Sequence, residues 1–288
     1  MTSATWLRGF IGLYIAAFLA YLFLPLAFMV AAGVNDSRFP GLLPWQGFTL
    51  KWFAELFAEP LLWESLVNSL VIGAGVVALS IPIGLAAALL LTNLRSRARN
   101  FVYAVMVSPV LTPGVILGIS TLIFWGRFGV PGGIFLVIVA QTSFIAAYCM
   151  LMFMARLQRL DPALEEAALD LGASHLRTFW RITMPFLLPT ILSAAFIAFL
   201  QSFENYNTTL FVYGTDRPLT VYIASKVRLG LTPAVNALAI IFIALTIAGA
   251  VIYELLRRRE RRRAAGAAVR AAVEPAADAR LRPALQQA

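Results

Sequence analysis

A chain of 288 residues that is 60% hydrophobic and 13% charged, with a mean hydropathy of +0.82, lacks the roughly one-quarter charged residues of a soluble domain. Its net charge of +9 would suit nucleic acid only if the basic residues formed one face of a soluble fold, but they stand between apolar runs and in the tail, the way membrane topology is written. One cysteine, Cys149, and one histidine, His175, exclude an intrachain disulfide and argue against zinc and haem.

Crossing a bilayer as a helix takes about 20 mostly apolar residues. Six runs qualify, at 10–32, 67–92, 101–124, 133–154, 186–204 and 234–256. The first exceeds a signal-peptide core of roughly 7–15 residues and reads as an uncleaved span. Helices are expected throughout, since lipid offers no partner to free backbone groups. Pro25, Pro82, Pro109, Pro113 and Pro189 fall inside the runs and are expected to mark kinks.

Between the first two runs, Trp45, Phe48, Trp52, Phe53, Phe57 and Trp63 alternate with Pro and Gly, which predicts a short folded loop at the outer interface. With both termini cytoplasmic, 17 of the 23 Lys and Arg lie inside and 6 outside; without the tail the count is 8 against 6. The chain then divides into a cytoplasmic N-terminus (1–9), a transmembrane domain (10–256) with a cytoplasmic loop at 156–185, and a basic cytoplasmic tail (257–288) read as disordered or weakly helical. The first tail arginines anchor the last span to anionic headgroups, and Glu254 is their expected salt-bridge partner.

The 156–185 loop carries dense local signals. Asp161 is a good N-cap and Pro162 suits the first helical position. Glu165 and Glu166 lie at the positive end of that helix, and Gly172 is placed to end it in the left-handed conformation. Ser174 can cap a second short helix that stops before Pro185. Leu164, Ala167, Ala168 and Leu171 share one helical face, as do Leu176, Phe179 and Trp180. Helices this short are marginal alone, so they need something to pack against.

The order Glu166-Ala167-Ala168, three residues, Gly172, nine residues, Ile182, two residues, Pro185 resembles the EAA loop of binding-protein-dependent ABC transporter permeases, with Met184 where that family usually has Leu. Asn35–Phe39, Trp45–Phe53 and Gly230–Leu238 are similar to outer segments of the spermidine/putrescine type, so the likeness runs over residues 10–258. This resemblance implies an all-α polytopic fold with six transmembrane helices, the type I importer permease, in a bacterial inner membrane. It implies a loop that seats in an ATPase through Glu166, Ala167, Ala168, Gly172, Ile182 and Pro185; Phe179, on the face it shares with Leu176 and Trp180, and His175 are read as part of the same docking surface. It further implies a second permease subunit, an ATPase dimer and a periplasmic substrate-binding protein as partners, with ATP and Mg held by the ATPase and no cofactor in this subunit.

For the solute path, Glu204, Asn207 and Thr208 are expected on one helical face at the outer end of the fifth run, a polar stripe suited to an amine. Equally, Glu204 could lie at headgroup level or pair with Arg217 or Lys226. Polyamine permeases often carry an acidic pair near this point, whereas the neighbours of Glu204 here are Asn205 and Asn207, which leaves an opine or another small solute open. Gln141, Thr142 and Ser143 suit bonds between helices, and the Gly114…Gly118 spacing suits close helix packing. No phosphate-binding loop is present, and no nucleophile–base or metal constellation supports an intramembrane enzyme. An ion-driven secondary transporter is the remaining alternative; no clear inverted repeat supports it.

Overall fold

The computed structural model describes residues 3–39, 41–94, 98–229 and 233–249, together with 251, 252, 254, 255 and 258. Arg95, Arg97, the Gly230–Thr232 part of the outer resemblance, and the tail beyond Arg258 lie outside the described residues. Among the described residues there are helices and a single isolated bridge, Asn35 to Phe48, but no strand.

One unit comprises residues 1–56 and 232–288. It holds α1 (Ser3–Gly33), most of α2 (Lys51–Phe57) and α12 (Pro233–Gly249). Gly33 is where α1 and α12 touch: a Cβ there would come within 2.6 Å of Ile240 Cδ1. The predicted outer loop is built around the buried Asn35. Its amide donates to the carbonyls of Gly41 and Pro44 and accepts from Gln46 N–H, while Trp52 Nε1 donates to the Asn35 carbonyl at 2.8 Å. Lys51 pairs with Asp36, and Glu254 with Arg258 at 2.6 Å as expected.

The other unit, 57–231, contains α3 (Pro60–Asn93), α4 (Ala98–Leu111), α5 (Gly114–Gly126), α6 (Ile134–Leu157), α7 (Pro162–Asp170), α8 (His175–Thr178), α9 (Met184–Glu204), α10 (Thr209–Val212) and α11 (Leu219–Leu229). Its core is a seam of small and branched side chains from α3, α6 and α9, with Ile72, Val76, Ala88, Leu136, Val137, Phe153, Leu187 and Ala194 all buried. Gly84 lets α3 run against α6, since a Cβ would stand 2.8 Å from the Ala146 carbonyl oxygen. Asp216 caps α6 from a distant loop, its carboxylate accepting from Ile134 N–H at 3.1 Å.

Four helices among the described residues are long and apolar enough to cross a membrane: Trp6–Gly33, Pro60–Asn93, Ile134–Leu157 and His175–Glu204. Two expectations need correction. The run 101–124 is divided into α4 and α5, which meet at 103°. Pro113 is the cause: it disfavours helical backbone at Thr112 and itself takes ψ 134° as the cap of α5. Pro25, Pro82, Pro109 and Pro189, by contrast, lie inside uninterrupted helices. The second loop helix also fails to stop before Pro185. It runs on through a π turn, Phe179–Thr183, where Met184 N–H bonds to the Phe179 carbonyl, and continues as α9. The wider turn carries Pro185 into the first turn of α9, where its missing N–H costs little. The last run is helical from Pro233 to Gly249 and is described only in part beyond that.

Candidate functional site

Two places carry the residues singled out in the sequence, and both fall within the 57–231 unit. The first is the loop. Asp161 accepts from Ala163 N–H at 3.0 Å, starting α7 at Pro162. Gly172 adopts φ +82°, and the paired bonds from Gly172 N–H to Leu169 O and from Ala173 N–H to Ala168 O close the helix as a Schellman motif. Ser174 Oγ accepts from Arg177 N–H at 3.3 Å and opens α8.

These caps present an apolar surface to solvent. Leu171 is 89% exposed, Leu176 69%, Trp180 57% and Leu164 53%, with Glu166, Ala167 and His175 exposed beside them. Phe179 departs from its expected place, being half-buried against the core with only an edge on Trp180. Ile182 is likewise half-buried, and Pro185 is exposed at the start of α9. Sequence reading missed the contact that fixes α7: buried Thr183 donates through Oγ1 to Glu165 Oε1 at 2.6 Å, tying the first helix to the π turn. It missed Arg156 too, whose Nε donates to the Phe186 carbonyl while its guanidinium lies 3.9 Å from the Phe186 ring centroid. No spacing rule signals either pair.

The second place is a cavity of about 540 Å³. Pro109, Val110, Thr112, Gly114 and Leu117 of the α4–α5 break form one wall. Phe144 and Tyr148 of α6 and Gln201 of α9 form another, and Glu204, Asn205, Tyr206, Asn207 and Thr208 complete it. Glu204, Asn207 and Thr208 do share a surface, though not through helical spacing. Helix α9 ends at Glu204, Asn205 turns extended at ψ 104°, and Asn205 Oδ1 accepts from Thr208 N–H at 3.1 Å, so a side-chain-locked turn brings the three together.

That turn is held from two sides. Gln141, 1% exposed, donates to Thr209 Oγ1 at 2.7 Å and accepts from Ser202 Oγ at 2.5 Å, joining α6, α9 and α10. On the other side the glycine pair of α5 admits Thr208: a Cβ on Gly118 would stand 2.5 Å from its carbonyl oxygen. Lys226, an expected alternative partner of Glu204, is instead paired with Glu59 at 2.6 Å. Tyr222 also donates to Glu59, at 2.7 Å. Burial pushes the Glu59 carboxyl up, but the hydrogen bonds from Lys226 and Tyr222 and the Lys226 charge outweigh it, so it sits below the usual carboxylate range. Burial and the Glu59 carboxylate push the Tyr222 phenol up.

Residues 80–262 match the family model for the binding-protein-dependent transport system inner membrane component. The chain belongs to that family. It is 32% identical over 254 residues to the putrescine transport system permease protein PotI of Escherichia coli K12, covering 84% of this chain and 89% of the relative. It is 30% identical over 241 residues to the spermidine/putrescine permease PotC of Haemophilus influenzae, covering 83% and 93%. Among solved structures, a bacterial alginate ABC transporter in complex with its alginate-bound periplasmic protein aligns at TM-score 0.67 and 20% identity, over 86% of this chain and 91% of that one. The MetNI methionine transporter aligns at 0.54 and 18%, over 70% and 93%. The permease is thus an all-helical, multi-pass, non-catalytic membrane subunit of an ABC importer.

Proposed function

We propose that this permease forms the path of a small amine, polyamine in the first instance, and takes its driving force from a separate ATPase through residues 156–185. The observation that carries the coupling half is the loop's apolar surface: two capped short helices leave Leu164, Leu171, Leu176 and Trp180 exposed among the described residues. Such helices gain stability by packing, and a partner surface supplies it. Glu166, Ala167, Ala168 and Gly172 lie at that surface, with Ile182 and Pro185 fixing how the π turn hands the loop to α9.

In this reading the permease works beside a second permease, an ATPase dimer that holds ATP and Mg, and a periplasmic binding protein, with both termini cytoplasmic. ATP-driven closure of the ATPases moves α7 and α8, and the continuous helix His175–Glu204 carries the motion to the cavity at Glu204. Glu204, Asn207 and Thr208 form part of the path. Support for an amine comes from the acidic, amide- and phenol-lined cavity and from the names of PotI and PotC, whose sequences this chain resembles over most of its length.

The test is Gly172→Val in the reconstituted complex. The position has open space around it, so the effect is conformational: a β-branched residue at φ +82° unwinds the turn between α7 and α8. ATP-dependent putrescine uptake is expected to fall with membrane insertion unchanged. Uptake equal to the parent complex would sink the coupling reading.

A further inference from the structure

The α4–α5 break lies inside a run that reads as a crossing segment, where lipid offers no hydrogen bonds to free backbone. Helix α4 ends there with carbonyls that no later helical N–H reaches. Thr112 satisfies two of them, bonding from its N–H to Pro109 O at 3.3 Å and from its hydroxyl to Ser108 O at 2.9 Å. The carbonyl oxygens of Val110, Leu111 and Thr112 receive no hydrogen bond from the described residues. Val110 and Thr112 line the same cavity as Glu204.

The sign of the charge that suits this cavity follows from what surrounds it. A helix C-terminus is the negative end of the backbone dipole, and Glu204 adds a full negative charge. The N-terminus of α5 opens at the same break and on its own would attract an anion. Thr208 closes off the first residue of α5, however: a Cβ on Gly114 would stand 2.8 Å from Thr208 Oγ1, an oxygen buried with no hydrogen-bond partner among the described residues, and one on Gly118, a turn further in, 2.5 Å from Thr208 O. Among the described residues the cavity lining contains no Lys, Arg or His. Arg228 reaches the lining residue Tyr206, but its Nη2 donates to the phenol oxygen at 2.9 Å.

Building on the amine reading above, we propose that the α4–α5 break and Glu204 together form a site for one primary ammonium group. Such a group offers three N–H donors, which divide between the Glu204 carboxylate and the free main-chain carbonyls of Val110 and Thr112, both of which line the cavity. Recognition then reads donors as well as charge, so a quaternary ammonium of equal charge fits poorly. With a single carboxylate in the lining among the described residues, a diamine enters one end at a time.

The experiment uses the assembled permease–ATPase complex in liposomes without the binding protein, so selectivity measured there belongs to the membrane subunits. The buried native thiol Cys149 is replaced by Ala, and Val110→Cys places a thiol at the break while keeping the backbone carbonyl. Asn207→Cys, on the facing wall, is the second reporter. Modification rates are measured with methanethiosulfonates bearing 2-aminoethyl, 2-(trimethylammonio)ethyl or 2-sulfonatoethyl groups, each divided by its rate with a free thiol. At both positions the aminoethyl reagent is expected to react about tenfold faster than the sulfonate, as an acidic cleft concentrates cations. The trimethylammonium reagent falls between them, and Glu204→Gln removes the cation preference. Equal rates for the two cations, fastest reaction by the sulfonate, or a preference that survives Glu204→Gln would each overturn the site. Putrescine uptake measured on the complete transporter separates the two readings: ATP-driven uptake with no labelling preference sinks the ammonium site and leaves the permease reading standing.

Discussion

In the 156–185 loop the capping bonds are short in sequence, Asp161 to Ala163, Ala168 to Ala173 and Ser174 to Arg177, and the clamp from Thr183 to Glu165 spans 18 residues. In the cavity they are long: Gln141 reaches Ser202 and Thr209, Gly114 and Gly118 receive Thr208, and the α4–α5 break faces Glu204. The loop is therefore a pair of locally specified helices awaiting a surface, whereas the cavity exists only once α5, α6, α9 and α10 are packed. The difference teaches where each is vulnerable. Damage to packing removes the cavity and spares the loop's caps; damage to a cap or clamp does the reverse.

The hardest test of that separation is Gly118→Leu. Its side chain would overlap the Thr208 carbonyl, and overpacking costs about 3 kcal/mol at the upper end of such substitutions. Putrescine uptake should be lost while the ATPase still co-purifies; loss of both would show that the two regions are not independent. A smaller effect is expected from Thr183→Val, which removes the hydrogen bond to Glu165 and costs about 1.5 kcal/mol. Proteolysis within 162–173 should quicken and ATP-dependent uptake drop several-fold, and an unchanged cleavage rate would mean that α7 is not held by this clamp.

Asp161→Ala removes the N-cap of α7 and should cost about 1 kcal/mol of local helix stability. Hydrogen exchange at Ala163 and Leu164 reads it directly, with the exchange rates of α9 unchanged. The mildest effect concerns acid. The Glu59 carboxyl is held below its ordinary value in the folded protein, so its pairing with Lys226 and Tyr222 contributes stability at neutral pH that is lost as pH falls through the folded value. Glu59→Gln should flatten thermal stability between neutral and acidic pH relative to the parent; an unaltered profile would remove this latch from the account.

Much of the loop was legible because caps, Schellman glycines and helical faces are written within a few residues of one another. What misled was Pro185, read as a stop. A π turn absorbs it, and α9 continues beyond with Leu187 and Ala194 buried in the core. Phe179 shares a helical face with Leu176 and Trp180 by spacing, but it packs half-buried on the core while those two stay exposed. Glu204, Asn207 and Thr208 were grouped on a helix that in fact ends at Glu204; they meet through the Asn205 turn instead.

The sequence by itself determined the class of this protein. Apolar runs of membrane length, sparse charge and the spaced Glu-Ala-Ala…Gly…Ile…Pro pattern are local or compositional, and each follows from residues that need no distant partner to be read. Only the tertiary structure decided that the third run bends by 103°, that Thr183 holds Glu165, and that Gln141 anchors the turn beside Glu204. Those features depend on which buried polar group finds which partner, and a hydrogen bond across 18 or 68 residues leaves no periodicity for the sequence to display.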